Sequence, residues 1–243
     1  MAGKKLYEGK AKIIYTTDDP AVLLTYFKDD ATAFNAQKRG QIVDKGKINC
    51  AISTYLFQRL EAAGVPTHWL ETTGEREMRV KALTIIPLEV VVRNVAAGSL
   101  CRQTGLPLGQ ILNPPLVEFY YKDDNLGDPL LTPDRMRVMQ VATEEQIAEL
   151  RRQAERINQI LTEFFASCAI TLVDFKLEFG LDRQQNVLLG DEISPDTCRL
   201  WDQATEDETQ RVMDKDRFRQ DLGQVEQAYQ RVLERVMAQS HQR

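Results

Sequence analysis

Histidine is scarce in this chain. His68 and the near-terminal His241 are the two among 243 residues, so histidine-based metal sites and Ser–His–Asp triads have little material to draw on. The four cysteines, Cys50, Cys101, Cys168 and Cys198, are far apart and follow no metal-ligand spacing. They read as reduced thiols of a cytoplasmic protein rather than as a disulfide framework. No signal peptide and no apolar run of membrane length occurs, so no membrane partner is expected. Positive charge is not in excess either. Thirty-one Lys+Arg against 36 Asp+Glu give a net charge of −5, which argues against a nucleic-acid backbone as partner. The glycine spacings of a Walker loop or a dinucleotide fingerprint are absent, and there is no internal repeat.

What is present is an alternating segment, Val173-Asp174-Phe175-Lys176-Leu177-Glu178-Phe179-Gly180. In a strand, Val173, Phe175, Leu177 and Phe179 enter a core while Asp174, Lys176 and Glu178 share the other face, with next-but-one residues about 6.6 Å apart. That pattern suits a metal–phosphate site, where acids hold a cation and a lysine meets phosphate oxygens. A solvated strand face is the bland alternative. Downstream, Leu181 to Gln185 reads as a turn and Asn186 to Glu192 as a returning strand. A hairpin centred between Arg183 and Gln184 sets Asp191 opposite Lys176, bringing two acids and a lysine within reach of one Mg²⁺; a one-residue slip reverses that facing.

The length allows one large domain or two small lobes. Strands are expected from Leu6 to Thr17 through a turn at Gly9, then over Ala21–Phe27, His68–Leu70, Glu77–Leu83 and Pro87–Arg93. Lys47–Ala63 carries apolar residues at helical spacing and is stopped by Gly64 and Pro66. The β-rich part is expected to end near Ile85–Pro87. Asn94 to Asp134, rich in Gly, Pro, Asn and Asp, reads as a long ordered, functional loop. Thr143-Glu144-Glu145-Gln146 is a capping-box pattern opening a helix with Ile147, Leu150, Ala154, Ile157 and Leu161 on one face. Phe218, Leu222, Val225, Tyr229, Val232 and Val236 mark a closing helix. A small β-rich lobe joined to a larger α+β lobe leaves a cleft, a favoured place for small molecules.

An acidic protein that binds anions must gather its cations locally. Tyr7-Glu8-Gly9-Lys10-Ala11-Lys12 puts Lys10 and Lys12 on one face beside a glycine that permits close approach of phosphate, although solvated lysines are the plainer reading. Arg93, followed by Gly98-Ser99, can fork onto a phosphate with a hydroxyl and backbone donors beside it, or simply end a strand. Arg199 is a second anion clamp or an ordinary ion pair.

These segments, with Gly190-Asp191-Glu192, Ser194-Pro195-Asp196, Arg199-Leu200-Trp201-Asp202 and Asp214-Lys215-Asp216-Arg217-Phe218-Arg219, resemble the SAICAR synthetase family over nearly the whole chain. The resemblance implies an α+β, two-lobed fold distantly similar to protein kinases, with an ATP-binding lobe over 1–86 and a substrate and metal lobe over 87–243. The kinase His-Arg-Asp pattern is absent, since Leu172-Val173 precede Asp174. It implies the substrates ATP, L-aspartate and carboxyaminoimidazole ribonucleotide, with Mg²⁺; bacterial-type members suggest a homodimer. Under it, Asp174, Lys176, Glu178 and Asp191 are the catalytic group, with Glu178 and Asp191 on the metal. Lys10 and Lys12 take the ATP phosphates, and the adenine sits near Lys81 to Ile86. Arg93, Ser99 and Arg199 surround the ribonucleotide phosphate, with Lys122, Asp128 and Asp196 as further substrate contacts. A small-molecule kinase and a non-catalytic nucleotide-binding module are the competing readings.

Overall fold

The structure is a computed structural model that describes residues 3–33 and 38–239. Met1, Ala2 and His241 lie outside them. In chain order the elements are β1 (Lys5–Glu8), β2 (Lys12–Thr16), β3 (Val22–Phe27), β4 (Asp30–Ala33), β5 (Lys38–Gln41), α1 (Lys45–Ala62), β6 (Trp69–Gly74), β7 (Glu77–Lys81) and β8 (Thr84–Val95). There follow α2 (Gly98–Thr104), β9 (Ile111–Tyr121), β10 (Leu130–Leu131), α3 (Pro133–Met139), α4 (Glu144–Ser167) and β11 (Ile170–Leu181). The chain finishes with β12 (Val187–Leu189), β13 (Cys198–Asp202), α5 (Asp216–Arg219) and α6 (Val225–Ala238).

Two antiparallel sheets carry the molecule. One has the order β1-β2-β3-β7-β6; the other runs β10-β9-β8-β11-β12, with β13 also paired to β11. They meet where main chains bond to each other: His68 N–H donates to the Leu189 carbonyl (2.8 Å) and Lys81 N–H to the His68 carbonyl (2.7 Å). The α+β class and the antiparallel, β-rich first part agree with the sequence.

Helix α4 forms because its capping box closes both ways, the Thr143 side chain accepting from Gln146 N–H and the Gln146 side chain from Thr143 N–H. Its stripe of Leu150, Ala154, Ile157 and Leu161, continued by Phe164 and Phe165, is buried against the second sheet. Each such large apolar side chain contributes roughly 1.5–3 kcal/mol on burial. Helix α1 buries Ile48, Ile52, Leu56 and Leu60 together with three polar residues, Lys45, Asn49 and Ser53.

Two sequence expectations need correction. The long loop from Asn94 to Asp134 contains α2, β9, β10 and the start of α3. Pro114 and Pro115 disguised β9, but its ladder to β8 is interrupted between Leu116 and Ile111 and β10 pairs only with Phe119 and Tyr120, so the prolines fall where neither edge needs a donor. The closing helix does not reach back to Phe218 either. Gly223 (φ 68°) and Gln224 (φ 51°) are left-handed and break the chain between α5 and α6.

Candidate active site

Strand β11 lies between β8 and β13, and its register builds the site. Asp174 pairs with Arg93 on β8 and with Arg199 on β13. Directly opposed residues on neighbouring strands bring their side chains together. Asp174 Oδ2 accepts from Arg93 NH1 (3.1 Å) and from Arg199 NH1, so one buried carboxylate bridges both arginines. Arg93 is further held by Glu118 (2.7 Å), Ser99 Oγ (3.0 Å) and the Tyr120 hydroxyl (3.1 Å). Arg199 Nε donates to Asp216 Oδ2 (2.6 Å). Burial opposes charge on Arg199, yet Asp174 and Asp216 outweigh it and raise the guanidinium pKa. The free fork expected of Arg93 is therefore mostly occupied by protein groups, and Arg199 has more donor capacity to spare.

Four residues along β11, roughly 13 Å by strand rise, lies a second cluster. Glu178 pairs directly with Glu89 on β8. Two carboxylates so placed repel, and Lys176 sits between them, bonded to Glu178 and 3.1 Å from Glu89 Oε1. Lys176 Nζ is also 3.4 Å from Asp191 Oδ2. Lys12 bonds Asp191 and lies 3.0 Å from Glu192, and Lys122 bonds Glu178. Burial would lower the Lys12 and Lys176 pKa values, but Asp191 and its neighbouring carboxylates raise both. Burial would raise Asp191, but Lys12 and Lys176 hold it well below the carboxylate range. Glu89, with burial the larger influence, is pushed up despite Lys176.

Asp191 reaches this cluster by a route different from the expected one. The observed pairs Phe179–Leu189, Gly180–Leu188 and Leu181–Val187 centre the hairpin on Gln184. Continued regularly, that register would turn Asp191 toward the core face. Pairing stops at Leu189, however, and Asp191 adopts a left-handed backbone (φ 57°) that sends its carboxylate to Lys12 and Lys176.

Both clusters open onto one cleft of about 770 Å³. Lys10, Lys12, Lys81, Arg93, Ser99, Lys122, Asp128, Asp174, Lys176, Glu178, Asp191, Asp196 and Arg199 all line it. An apolar stretch of the wall comes from Ile14, Leu23, Val80, Leu83, Ile85 and Phe175. Some residues serve differently from their sequence reading. Gly9 N–H closes its turn onto the Lys12 carbonyl (2.8 Å). Lys10 is half exposed and pairs with Asp124 (2.7 Å). Lys81 Nζ lies 3.5 Å from the Thr67 carbonyl. Asp128 Oδ1 accepts from Asp123 N–H (3.0 Å). Asp196 is fixed by Lys45 (2.7 Å) and the Tyr229 hydroxyl (2.7 Å), and burial's upward pull on its pKa is overcome by Lys215 and Lys45.

Sequence reading missed Glu89, Glu118, Tyr120, Lys45 and Asp216 as parts of the site. Glu89 carried a signal: it interrupts the apolar run Leu88–Val92. Lys45 had none, because a lysine before a helix is ordinarily solvated.

Glu178 and Asp191 are the two carboxylates that could hold a Mg²⁺ ion. Both contact Lys176, so their oxygens lie within reach of one cation. Among the described residues no three acid, imidazole or thiol groups close on one point. Mg²⁺ binds in that manner, through one or two carboxylates plus waters and phosphate oxygens.

The SAICAR synthetase family model matches residues 5–236. The phosphoribosylaminoimidazole-succinocarboxamide synthase of Acaryochloris marina is 66% identical over 237 residues, covering 98% of this chain and 97% of that one. Its counterpart from Nostoc punctiforme is 66% identical over 233 residues, covering 96% and 95%. Among solved structures, the Ehrlichia chaffeensis synthase superposes with TM-score 0.92 at 43% identity, covering 97% and 99%. A SAICAR synthetase in complex with ADP gives 0.91 at 44% identity, covering 96% and 97%. With fold, cleft and sequence in agreement over almost its full length, the chain belongs to the SAICAR synthetase family.

Proposed function

We propose that this protein uses ATP to join L-aspartate to carboxyaminoimidazole ribonucleotide, giving the succinocarboxamide, ADP and phosphate, a step of purine biosynthesis. Family membership and the ADP-bound relative support ATP-dependent ligase chemistry. The observation that carries the assignment to this cleft is its double charge pattern along β11: an arginine clamp at Asp174 and a lysine–carboxylate cluster at Glu178. The first suits a ribonucleotide phosphate, the second a metal-bound triphosphate.

The charge inventory fits the chemistry. A carboxylate acylates poorly because its leaving oxygen is too basic. Its oxygen attacks the γ-phosphorus, the bond to the β-phosphate oxygen breaks, and ADP departs. The aspartate amine then attacks the acyl phosphate carbon, phosphate leaves with the bonding pair, and the amine loses its proton. Lys12 and Lys176 orient phosphate oxygens and offset developing charge, which is most of what such a transfer needs. Arg199, Arg93 and Ser99 fix the ribonucleotide so that its carboxylate meets the γ-phosphate. Glu178 and Asp191 would hold Mg²⁺, which supplies charge neutralisation at the phosphates. The apolar wall between Val80 and Ile85 suits the adenine. In this reading residues 1–86 form the ATP-binding lobe and 87–243 the substrate lobe, and the protein works in the cytoplasm as a homodimer.

The deciding experiment is ADP release from purified protein with MgATP and the ribonucleotide, with and without L-aspartate. Release that needs both, with equimolar succinocarboxamide, is the expected result. Release without aspartate and a stable phosphorylated product would replace the reading with a kinase, and ATP binding without turnover would leave a nucleotide-binding module.

A further inference from the structure

Glu118 and Tyr120 stand two residues apart on β9, so their side chains share one face of the sheet. Across the β8–β9 pairing, Leu116 is the residue opposite Arg93, Glu118 is opposite Val91, and Tyr120 is opposite Glu89. Glu118 is therefore the diagonal neighbour of Arg93, a separation of about 7–8 Å that long side chains cross.

The three side chains close a ring. Arg93 Nε donates to Glu118 Oε2 (2.7 Å), the Tyr120 hydroxyl donates to the same oxygen (2.9 Å), and Arg93 NH2 donates to the Tyr120 hydroxyl (3.1 Å). One edge of the guanidinium, Nε with NH2, is thus held from β9. The arginine and glutamate side chains are 5% and 11% exposed, and hydrogen bonds to a charge strengthen in such a low-dielectric place. Burial pushes the Tyr120 hydroxyl pKa up, so the hydroxyl keeps its proton and remains a donor to Glu118.

The opposite flank is closed as well. Asp174 on β11 accepts from NH1 (3.1 Å), and NH2 also donates to Ser99 Oγ (3.0 Å). Among the described residues this leaves one NH1 hydrogen for a ligand. A guanidinium on a free stem loses several rotamers on meeting an anion, whereas this one is fixed beforehand. Arg93 and Ser99 line the cleft, and Glu118 and Tyr120 stand outside its lining. Their influence on a ligand therefore passes through Arg93.

We propose that Glu118 and Tyr120 are positioning residues, which fix the guanidinium plane of Arg93 before the ribonucleotide phosphate arrives. The inference rests on the ligase reading above and deepens it. Glu118 supplies the charge that holds the arginine, and Tyr120 sets the angle by tying the same oxygen to NH2.

The test is a double-mutant cycle. Glu118→Gln keeps the shape and removes the charge, while Tyr120→Phe removes the hydroxyl alone. Glu118→Gln is expected to raise KM for the ribonucleotide about tenfold and Tyr120→Phe about threefold, with kcat and the KM values for ATP and L-aspartate unchanged. Combined with Arg93→Met, neither adds to the loss that Arg93→Met shows alone, because both act through that guanidinium. An unchanged ribonucleotide KM in the single variants, equal rises for all three substrates, or a full additional loss on top of Arg93→Met overturns the inference. Should Glu118→Gln fail to fold, Tyr120→Phe leaves the buried charge pair intact and carries the same cycle. If wild type forms no succinocarboxamide, the ligase reading fails, and equilibrium titration with ribose 5-phosphate takes the place of KM. Binding weakened by Tyr120→Phe beside Arg93 but not beside Met keeps the positioning role for a phosphate ligand. Equal binding with and without the hydroxyl, or none to wild type, ends it.

Discussion

The guanidinium of Arg199 occupies the space beside Gly98 where a side chain would begin. A Cβ built on residue 98 would lie 2.6 Å from NH2 and 2.9 Å from Cζ of Arg199, and the residue is left-handed at φ 57°. Glycine is thus required there twice over, by backbone conformation and by close approach. Gly98→Ala is expected to displace Arg199, raising KM for the ribonucleotide about tenfold with a smaller change for ATP. The left-handed penalty of roughly 1–2 kcal/mol corresponds to a Tm lower by about 2–8 °C. A wild-type ribonucleotide KM in this variant would detach Arg199 from substrate binding.

Asp174 reads from its geometry as the strut between Arg93 and Arg199. Asp174→Asn keeps the shape and removes the charge that holds both. Its main effect should be weaker ribonucleotide binding by roughly 1.5–3 kcal/mol. A fall in kcat with unchanged KM would instead put Asp174 at the reacting atoms.

For Asp191→Asn the balance reverses. Loss of a Mg²⁺-directed carboxylate is expected to lower kcat on the order of 10- to 100-fold, with raised Mg²⁺ restoring part of it. Turnover equal to wild type at every Mg²⁺ concentration would remove Asp191 from the metal site.

His68 gives a stability signature. Burial, helped by Lys12, holds its pKa down at about 3, against 6.5 for an ordinary histidine. Between those values the unfolded chain binds a proton that the folded chain does not, so stability rises with pH and falls as the solution is acidified below 6.5. The loss from this group between pH 6.5 and 5 is about 2 kcal/mol. Urea unfolding of wild type and His68→Gln should diverge in slope over that window; parallel slopes would mean His68 titrates normally.

The chemistry of the cleft was legible because its residues sit in short, patterned segments. Asp174, Lys176 and Glu178 alternate with core residues along one strand, and all three line the cleft. The α4 stripe and its cap were equally plain, since local periodicity and a local hydrogen bond specify them. β9 was hidden because prolines argue against a strand unless its edge is known to be free. Asp191 was given the right neighbour by the wrong register, because the left-handed turn that redirects it has no signature in a single Asp.

The sequence by itself determined the charge types, the core stripes and the family, all of which depend on residues near one another in the chain. Only the tertiary structure decided who pairs with whom. Arg93, Asp174 and Arg199 are 81 and 25 residues apart and meet through strand register. Lys45 and Asp196, 151 apart, form a buried pair from two distant elements. Such contacts depend on packing the whole core at once, and the spacing of residues along a chain does not encode them.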